Sequence, residues 1–333
     1  MKYTLNTMIL AAAVAAASVL SARASTITMD MVTVGDPGNA ADTDGYGGVG
    51  YTYQMGKYDV TTSQYAAFLN AVAGTSDTYG LYNSLMATDL PTVGIAQSGS
   101  PGSYSYAVTG TAAGKNNMPV FDVTWGDAAR FSNWLQNGQP SGPEGNGTTE
   151  TGAYALNGAI TDSALMAITR NAGATYFIPT ENEWYKSAYY KGGSTSVGYW
   201  TYPTKSNTAP GNTLPDTGNN ANFYNGGYTD PTNYLTPVGY FAGSPGPYGT
   251  YDQGGNVYQW NEANISGEYR GLRGGSFDSA SGHLASSYRN YYYPTDENCL
   301  FGFRVASTPE PGGIAMLLAG ALAFGIWRLR RNA

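Results

Sequence analysis

Apolar residues recur at helical spacing in only a few short windows of this 333-residue chain. Tyr65, Phe68, Leu69 and Val72 fall at i, i+3, i+4 and i+7, which puts them on one face of a helix. Thr61-Thr62-Ser63-Gln64 ahead of them has the spacing of a capping box, and Gly74 stands where the helix would end. Upstream, Tyr51–Tyr58 alternates roughly as a strand does. The pattern then repeats twice. Val120–Val123 predicts a short strand, with Thr124 as N-cap and Asp127 at the third position of a helix that carries Phe131, Trp134 and Leu135 and stops before Gly138. Ala174–Pro179 predicts an extended piece, and Thr180-Glu181-Asn182-Glu183 is a capping box opening a helix over Glu181–Lys191, closed by Gly192.

Between these windows lie Thr75–Asn117, Gln139–Asn171 and Gly193–Thr250, rich in Gly, Ser, Thr, Asn, Pro and Tyr and without sustained periodicity. They read as long loops, and loops of that length in a compact domain are functional surface or are pinned by ions and neighbouring loops. The expected architecture is α+β, with short strands, few helices and much irregular chain, in one large domain over residues 25–307. No internal repeat is visible.

The two ends follow different rules. Residues 1–24 read as a secretory signal: Lys2, an apolar run over Met8–Leu20, then Ala22-Arg23-Ala24 with cleavage after Ala24 by signal peptidase. Residues 308–333 open with Pro309-Glu310-Pro311, continue as an uncharged apolar run over Gly312–Trp327, and finish with Arg328, Arg330 and Arg331. Such a run is compatible with a membrane helix with the arginines on the cytoplasmic side, and the body is then expected on the outside. The order of Pro-Glu-Pro, apolar run and basic end resembles the PEP-CTERM sorting signal, which implies recognition and removal by an exosortase. A plain stop-transfer anchor is the alternative. Either way the expected destination is the cell envelope or the extracellular matrix of a bacterial-type cell.

Acidic residues outnumber basic ones 23 to 16, and five of the basic ones (Lys2, Arg23, Arg328, Arg330, Arg331) lie in the two ends. The acidic body is a poor partner for nucleic acid, whose phosphates need clustered Lys and Arg. Of 29 tyrosines, all but Tyr3 are in the body, a composition suited to polar, aromatic surfaces that meet sugars. The single cysteine, Cys299, excludes an intrachain disulfide, and the single histidine, His283, excludes a multi-histidine metal site within one chain.

An ordered set of short motifs spans roughly Gly50–Ser307. It runs Tyr58-Asp59-Val60-Thr61, Met118-Pro119-Val120 with Val123-Thr124-Trp125, Ile178-Pro179-Thr180-Glu181 with Glu183-Trp184, Gly255-Asn256-Val257, Arg273-Gly274-Gly275-Ser276 and Gly302-Phe303-Arg304. In this order they resemble the formylglycine-generating enzymes, or sulfatase-modifying factor domains. That resemblance implies an irregular relative of the C-type lectin fold. It also implies a copper site of two cysteines just past the Gly-Gly-Ser turn, where oxygen is activated to oxidise a sulfatase cysteine. Here Ser279 and Leu284 fall at those places, and neither offers copper a soft ligand. A second branch of the superfamily, the iron-dependent sulfoxide synthases, uses several histidines; with His283 alone, no iron is expected. The resemblance further implies structural calcium. Asp252 would supply its carboxylate, with backbone carbonyls from Gln253, Gly255 and Val257; Asn222, Phe223 and Asp230 would form a second set of hard oxygen ligands.

Other patterns carry less. Gly45–Gly50 spells a dinucleotide motif but precedes a strand instead of linking strand to helix. A Ser/His/Asp triad would have to be built around His283 with Ser279 or Ser281. Glu181 and Glu183 sit where helix capping explains them better than paired-carboxylate catalysis does. Trp125, Trp184, Trp260, Phe303 and Arg304 read as core, Arg273, Arg289 and Arg304 as holders of irregular backbone, and Cys299 as an inert thiol. The expected function is a non-catalytic binding or structural component of the surface or matrix, with extracellular polysaccharide or envelope proteins as partners. The alternatives are a divergent enzyme of the same family or a lectin-like polysaccharide-binding module.

Overall fold

A computed structural model describes residues 26–308; the signal segment with Ala24, and the tail with Pro309, Glu310 and Pro311, lie outside the described residues. Capping sets the three main helices. In α1 (Thr62–Val72), Thr61 accepts from the Gln64 N–H and donates its own N–H to the Gln64 side chain. The helix closes at Ala73, one residue before Gly74, where the Ala73 N–H reaches Leu69 O. In α2 (Trp125–Gln136) Thr124 and Asp127 form the same reciprocal pair. A third box, Thr180 with Glu183, starts the later helix Glu181–Tyr189.

That last helix is two residues shorter than the sequence suggests. Tyr190 is extended and bridges Tyr199, while Trp200 N–H donates to Tyr189 O, so the returning chain takes over the hydrogen bonds that another turn of helix would use. The strands are also shorter than expected: β1 (Met31–Val34) was not foreseen, and β2 covers only Tyr53–Gly56. Val120–Val123 is not a strand. It is buried chain that follows the Thr61–Pro119 bridge and adds a bond from Val120 N–H to Val60 O (2.9 Å), and Asp122 at φ 54° breaks any continuation.

Two of the three expected loops hold regular structure. Within 75–117 a 3-10 turn (Ser84–Ala87) leads into a hairpin of β3 (Gly94–Ser98) and β4 (Ser105–Thr109). Within 139–171 Thr161 caps a short α3 (Asp162–Met166). The next elements are β5 (Tyr176–Phe177) and α4, which is the helix Glu181–Tyr189. The span 193–250 has no helix or strand, and asparagines pin it: Asn212 donates to Phe223 O and Gly227 O, and Asn222 to Tyr234 O.

The last third supplies β6 (Tyr258–Ile265), β7 (Tyr269–Arg273), β8 (Asn290–Tyr292), β9 (Phe301–Gly302) and β10 (Ala306–Ser307). One sheet runs β1-β2-β10-β5, so both ends of the described chain meet in it; another runs β8-β7-β6-β9, with β6 and β9 parallel. Phe303, between β9 and β10, meets Phe131 of α2 at 5.3 Å and Tyr65 of α1 at 6.5 Å between ring centres, and Phe68 and Trp134 complete the aromatic core. Arg304 beside it is fully buried, bonding Asp59 (3.0 Å), Gln259 (2.6 Å), Gly56 O and Tyr251 O. It ties the end of β2 and the turn after it to the Tyr251 loop and to β6.

Candidate functional site at the Gly-Gly-Ser turn

β7 ends at Arg273, and the chain then turns through Gly274 (φ 102°) and Gly275 (φ 73°). A side chain at Gly274 would meet Gln253 O at 2.7 Å, and one at Gly275 would meet Leu284 Cδ1 at 2.7 Å, so both glycines are required by close approach as well as by φ. The turn presents Ser276, whose N–H donates to Ser279 Oγ (3.0 Å). Ser279 Oγ in turn donates to Tyr258 OH (3.3 Å), and Tyr258 OH lies 2.8 Å from His283 Nδ1. The His283 ring stacks on Tyr288, 4.1 Å between centres and 12° from parallel. A hydroxyl chain thus runs from the turn to the imidazole. Ser279 does not reach His283 directly, since the Tyr258 phenol stands between them, so these residues do not form a serine-histidine pair.

Leu284 has a different setting. It is fully buried with Ala221 and Phe223, Tyr202 packs alongside, and its carbonyl accepts from Tyr189 OH. The two positions at which the resemblance would place copper-binding cysteines are therefore a satisfied hydroxyl and an alkyl group in apolar packing. Cys299 packs at the edge of another apolar cluster, with Phe121, Val257 and Phe277. Burial first, then the charges of Asp122 and Asp89, push its thiol up to about 11, so it is protonated near neutral pH.

The residues expected to hold calcium fall into two neighbouring sets. Asp252 (φ 57°) accepts from Gly239 N–H (2.6 Å) and its carbonyl accepts from Gln259 Nε2 (2.7 Å). Burial pushes its carboxyl up to about 6 against the Gly239 hydrogen bond. Asp252 and Gln253 line a cavity of about 10 Å³ with Thr250, Asn220 and Ser244, room for one water-sized sphere. The Gln253 side chain is itself committed to Thr250, Ser187 and Trp184 O. Gly255 bridges Asn222, approaching so closely that a Cβ there would lie 2.1 Å from Asn222 O. Val257 is fully buried.

In the second set, Asn222 Oδ1 is a buried acceptor with no donor, which suits an oxygen ligand. Asp230 is already satisfied: its carboxylate accepts from the Thr232 and Asn233 N–H groups and from Asn233 Nδ2, as a turn cap does. Burial works against its charge, but these hydrogen bonds outweigh it and hold the carboxyl below its ordinary value. Phe223 O accepts from Asn212. The residues around Asp252 and Asn222 thus fit a cation better than Asp230 does.

Glu181 and Glu183 diverge from the shared capping box. Glu181 pairs with Arg273 and Arg289, and Glu183 with Arg170 (2.8 Å) and Tyr51. Arg170 also binds Glu262 (2.8 Å) and lies 3.6 Å over the Phe177 ring. Burial alone would raise the Glu183 carboxyl, yet Arg170 holds it below its ordinary value. Both carboxylates are structural anchors. Arg170 and Glu262 carry no motif in the sequence and were not foreseen. Beside them is a cavity of about 150 Å³ lined by Trp125, Tyr154, Met166, Arg170, Glu262 and Arg270.

Short strands, few helices, long irregular connections and a double-glycine turn define an α+β domain of the formylglycine-generating-enzyme kind. The chain belongs to the sulfatase-modifying factor enzyme 1-like family, whose domain description matches residues 48–309. No curated protein matches it. Among solved structures it is similar to one titled "Crystal Structure of CarF" (TM-score 0.54, 19% identity, 86% of this chain and 100% of that one). It is also similar to Treponema denticola variable protein 1 (TM-score 0.50, 19% identity, 86% and 97%). At that identity the likeness is one of fold.

Proposed function

We propose that this chain is an exported, non-catalytic member of its family, a binding or structural component of the cell surface or extracellular matrix. The observation that carries the reading is the loss of both copper ligands in different ways: Ser279 is tied into a hydroxyl chain, and Leu284 is sealed in apolar packing. Copper(I) favours thiolates, and the remaining thiol is half-buried, protonated and part of a different cluster. The signal segment and the Pro-Glu-Pro tail support export and sorting through signal peptidase and an exosortase. Among the described residues no helix is long and apolar enough to cross a membrane; the Gly312–Trp327 run lies outside them.

The test is oxygen consumption by the purified protein, loaded with copper, in the presence of a sulfatase-type cysteine peptide. No turnover is expected, and copper-dependent formation of formylglycine would overturn the reading. Exposed tyrosines favour a glycan as the ligand: Tyr291, Tyr292 and Tyr293 are each exposed, and Tyr269 packs against Tyr291 and Tyr293. Binding to an acidic or neutral polysaccharide that is lost on Tyr291→Ala and Tyr293→Ala is the expected result; silence across a glycan array would remove this ligand class. For calcium at the first set, a rise in melting temperature on adding the ion, made smaller by Asp252→Ala, is expected.

A further inference from the structure

Asp122 is the one residue of the Pro119–Thr124 segment whose side chain has no evident reason to be inside. It is fully buried between Phe121 and Val123, and neither of its carboxylate oxygens has a hydrogen-bond partner. Its backbone adopts φ 54°, a conformation costly for a residue other than glycine, and is held there by its N–H donating to Asn298 O (3.1 Å). Among the described residues no Lys or Arg pairs with it. What faces it is another acid: Leu90 and Phe121 pack in one apolar cluster, which brings Asp89, just beyond the 3-10 turn, beside Asp122, and the Asp89 charge acts on the Asp122 carboxyl. Asp89 itself is exposed.

A buried carboxylate without donors is costly, and a second carboxylate pressed against it makes the arrangement worse unless something positive lies between them. We propose that Asp122 and Asp89 form a site for a hard divalent cation, calcium in the first place, between the 3-10 turn and the segment entering α2. Asp122 offers both oxygens, which calcium accepts as a bidentate ligand, and Asp89 supplies a carboxylate on the solvent side where a hydrated ion arrives. Among the described residues no three His, Cys, Asp or Glu side chains converge, so backbone carbonyls and water complete the shell, as calcium tolerates and zinc does not. Glu297 and Cys299 stand nearby, adding negative potential without replacing the two aspartates. This site is separate from the Asp252 and Asn222 sets and depends on neither. With two carboxylates its affinity belongs with weak extracellular calcium modules, on the order of 0.1–1 mM.

The experiment is equilibrium dialysis of the purified chain against radioactive calcium, with Asp122→Asn, Asp89→Asn and Asp252→Ala in parallel. The wild-type chain is expected to bind one calcium more than Asp122→Asn, and Asp89→Asn to weaken that ion at least about tenfold. Asp252→Ala is expected to leave it in place. Asp89 is exposed, so its variant tests the site even if Asp122→Asn fails to fold. Equal calcium content in wild type and both aspartate variants would overturn the proposal. So would a wild-type chain that binds no calcium here while Asp122→Asn gains stability at neutral pH, because the two acids would then be sharing a proton.

Discussion

Arg304 shows how many separate segments a single side chain can hold together. Its partner Asp59 is fully buried, and one of its oxygens, Oδ2, already has no donor. Replacing Arg304 with Leu would leave that carboxylate alone in the interior, and removing one partner of such a pair costs about 3–5 kcal/mol. Denaturant unfolding should show this loss, with little of it recovered by Arg304→Lys, which lacks the fork that reaches Gly56 O, Gln259 and Tyr251 O together. Asp122 makes the opposite kind of prediction. Burial first, and then the charge of Asp89, push its carboxyl from 3.8 up to about 7. A raised carboxyl stabilises the fold below its ordinary value and loses that stabilisation as pH climbs through the folded value. In cation-free buffer the melting temperature should therefore fall between about pH 4 and pH 7. Asp89, Glu297 and Cys299 face the same spot, and Asp122→Asn should flatten that part of the curve.

At the scale of elements, three threonines do similar work with different consequences. Thr61, Thr124 and Thr180 each cap a helix through a reciprocal pair, a signal confined to four residues and readable without any fold. Thr180→Ala should cost about 1 kcal/mol as an N-cap loss. It should cost more than Thr61→Ala, because Glu183, which completes the Thr180 box, also anchors Arg170 and Tyr51. Comparing the two variants by thermal unfolding separates the cap from the ion pair. The strands were far less legible. Two-residue β5, β9 and β10 have no periodicity to detect, and they exist because β10 returns between β2 and β5, and β9 beside β6, from distant sequence. The hairpin of β3 and β4 reads as loop in the sequence because Gln, Ser and Thr interrupt its few apolar residues.

For the whole molecule, the centre is where α1, α2 and the final strands meet at Phe303. Phe303→Ala would open a cavity among Tyr65, Phe131 and their neighbours, at a cost of about 3–5 kcal/mol. Domains hold only about 5–15 kcal/mol in total, so a large rise in protease sensitivity is the expected readout. The sheet that contains both β1 and β10 joins the two ends of the described chain, and the family match covers most of the same span.

The sequence by itself determined the local features: the three capped helices, the order of the family motifs, and the absence of both thiols at the turn after β7. Each of these needs only neighbouring residues, because a cap bonds within one turn and a missing sulfur is missing in any fold. Tertiary structure alone decided what those residues face. Arg170 finds Glu262 across 92 residues, Arg304 finds Asp59 across 245, and Asp122 meets Asp89 from another segment. Such pairings depend on where long irregular chain returns, and irregular backbone has no period from which that return can be read. Ser279 and Leu284 illustrate the division. Their identities excluded a thiol pair at once, but only the fold made one of them part of a hydroxyl chain and the other part of a sealed apolar cluster.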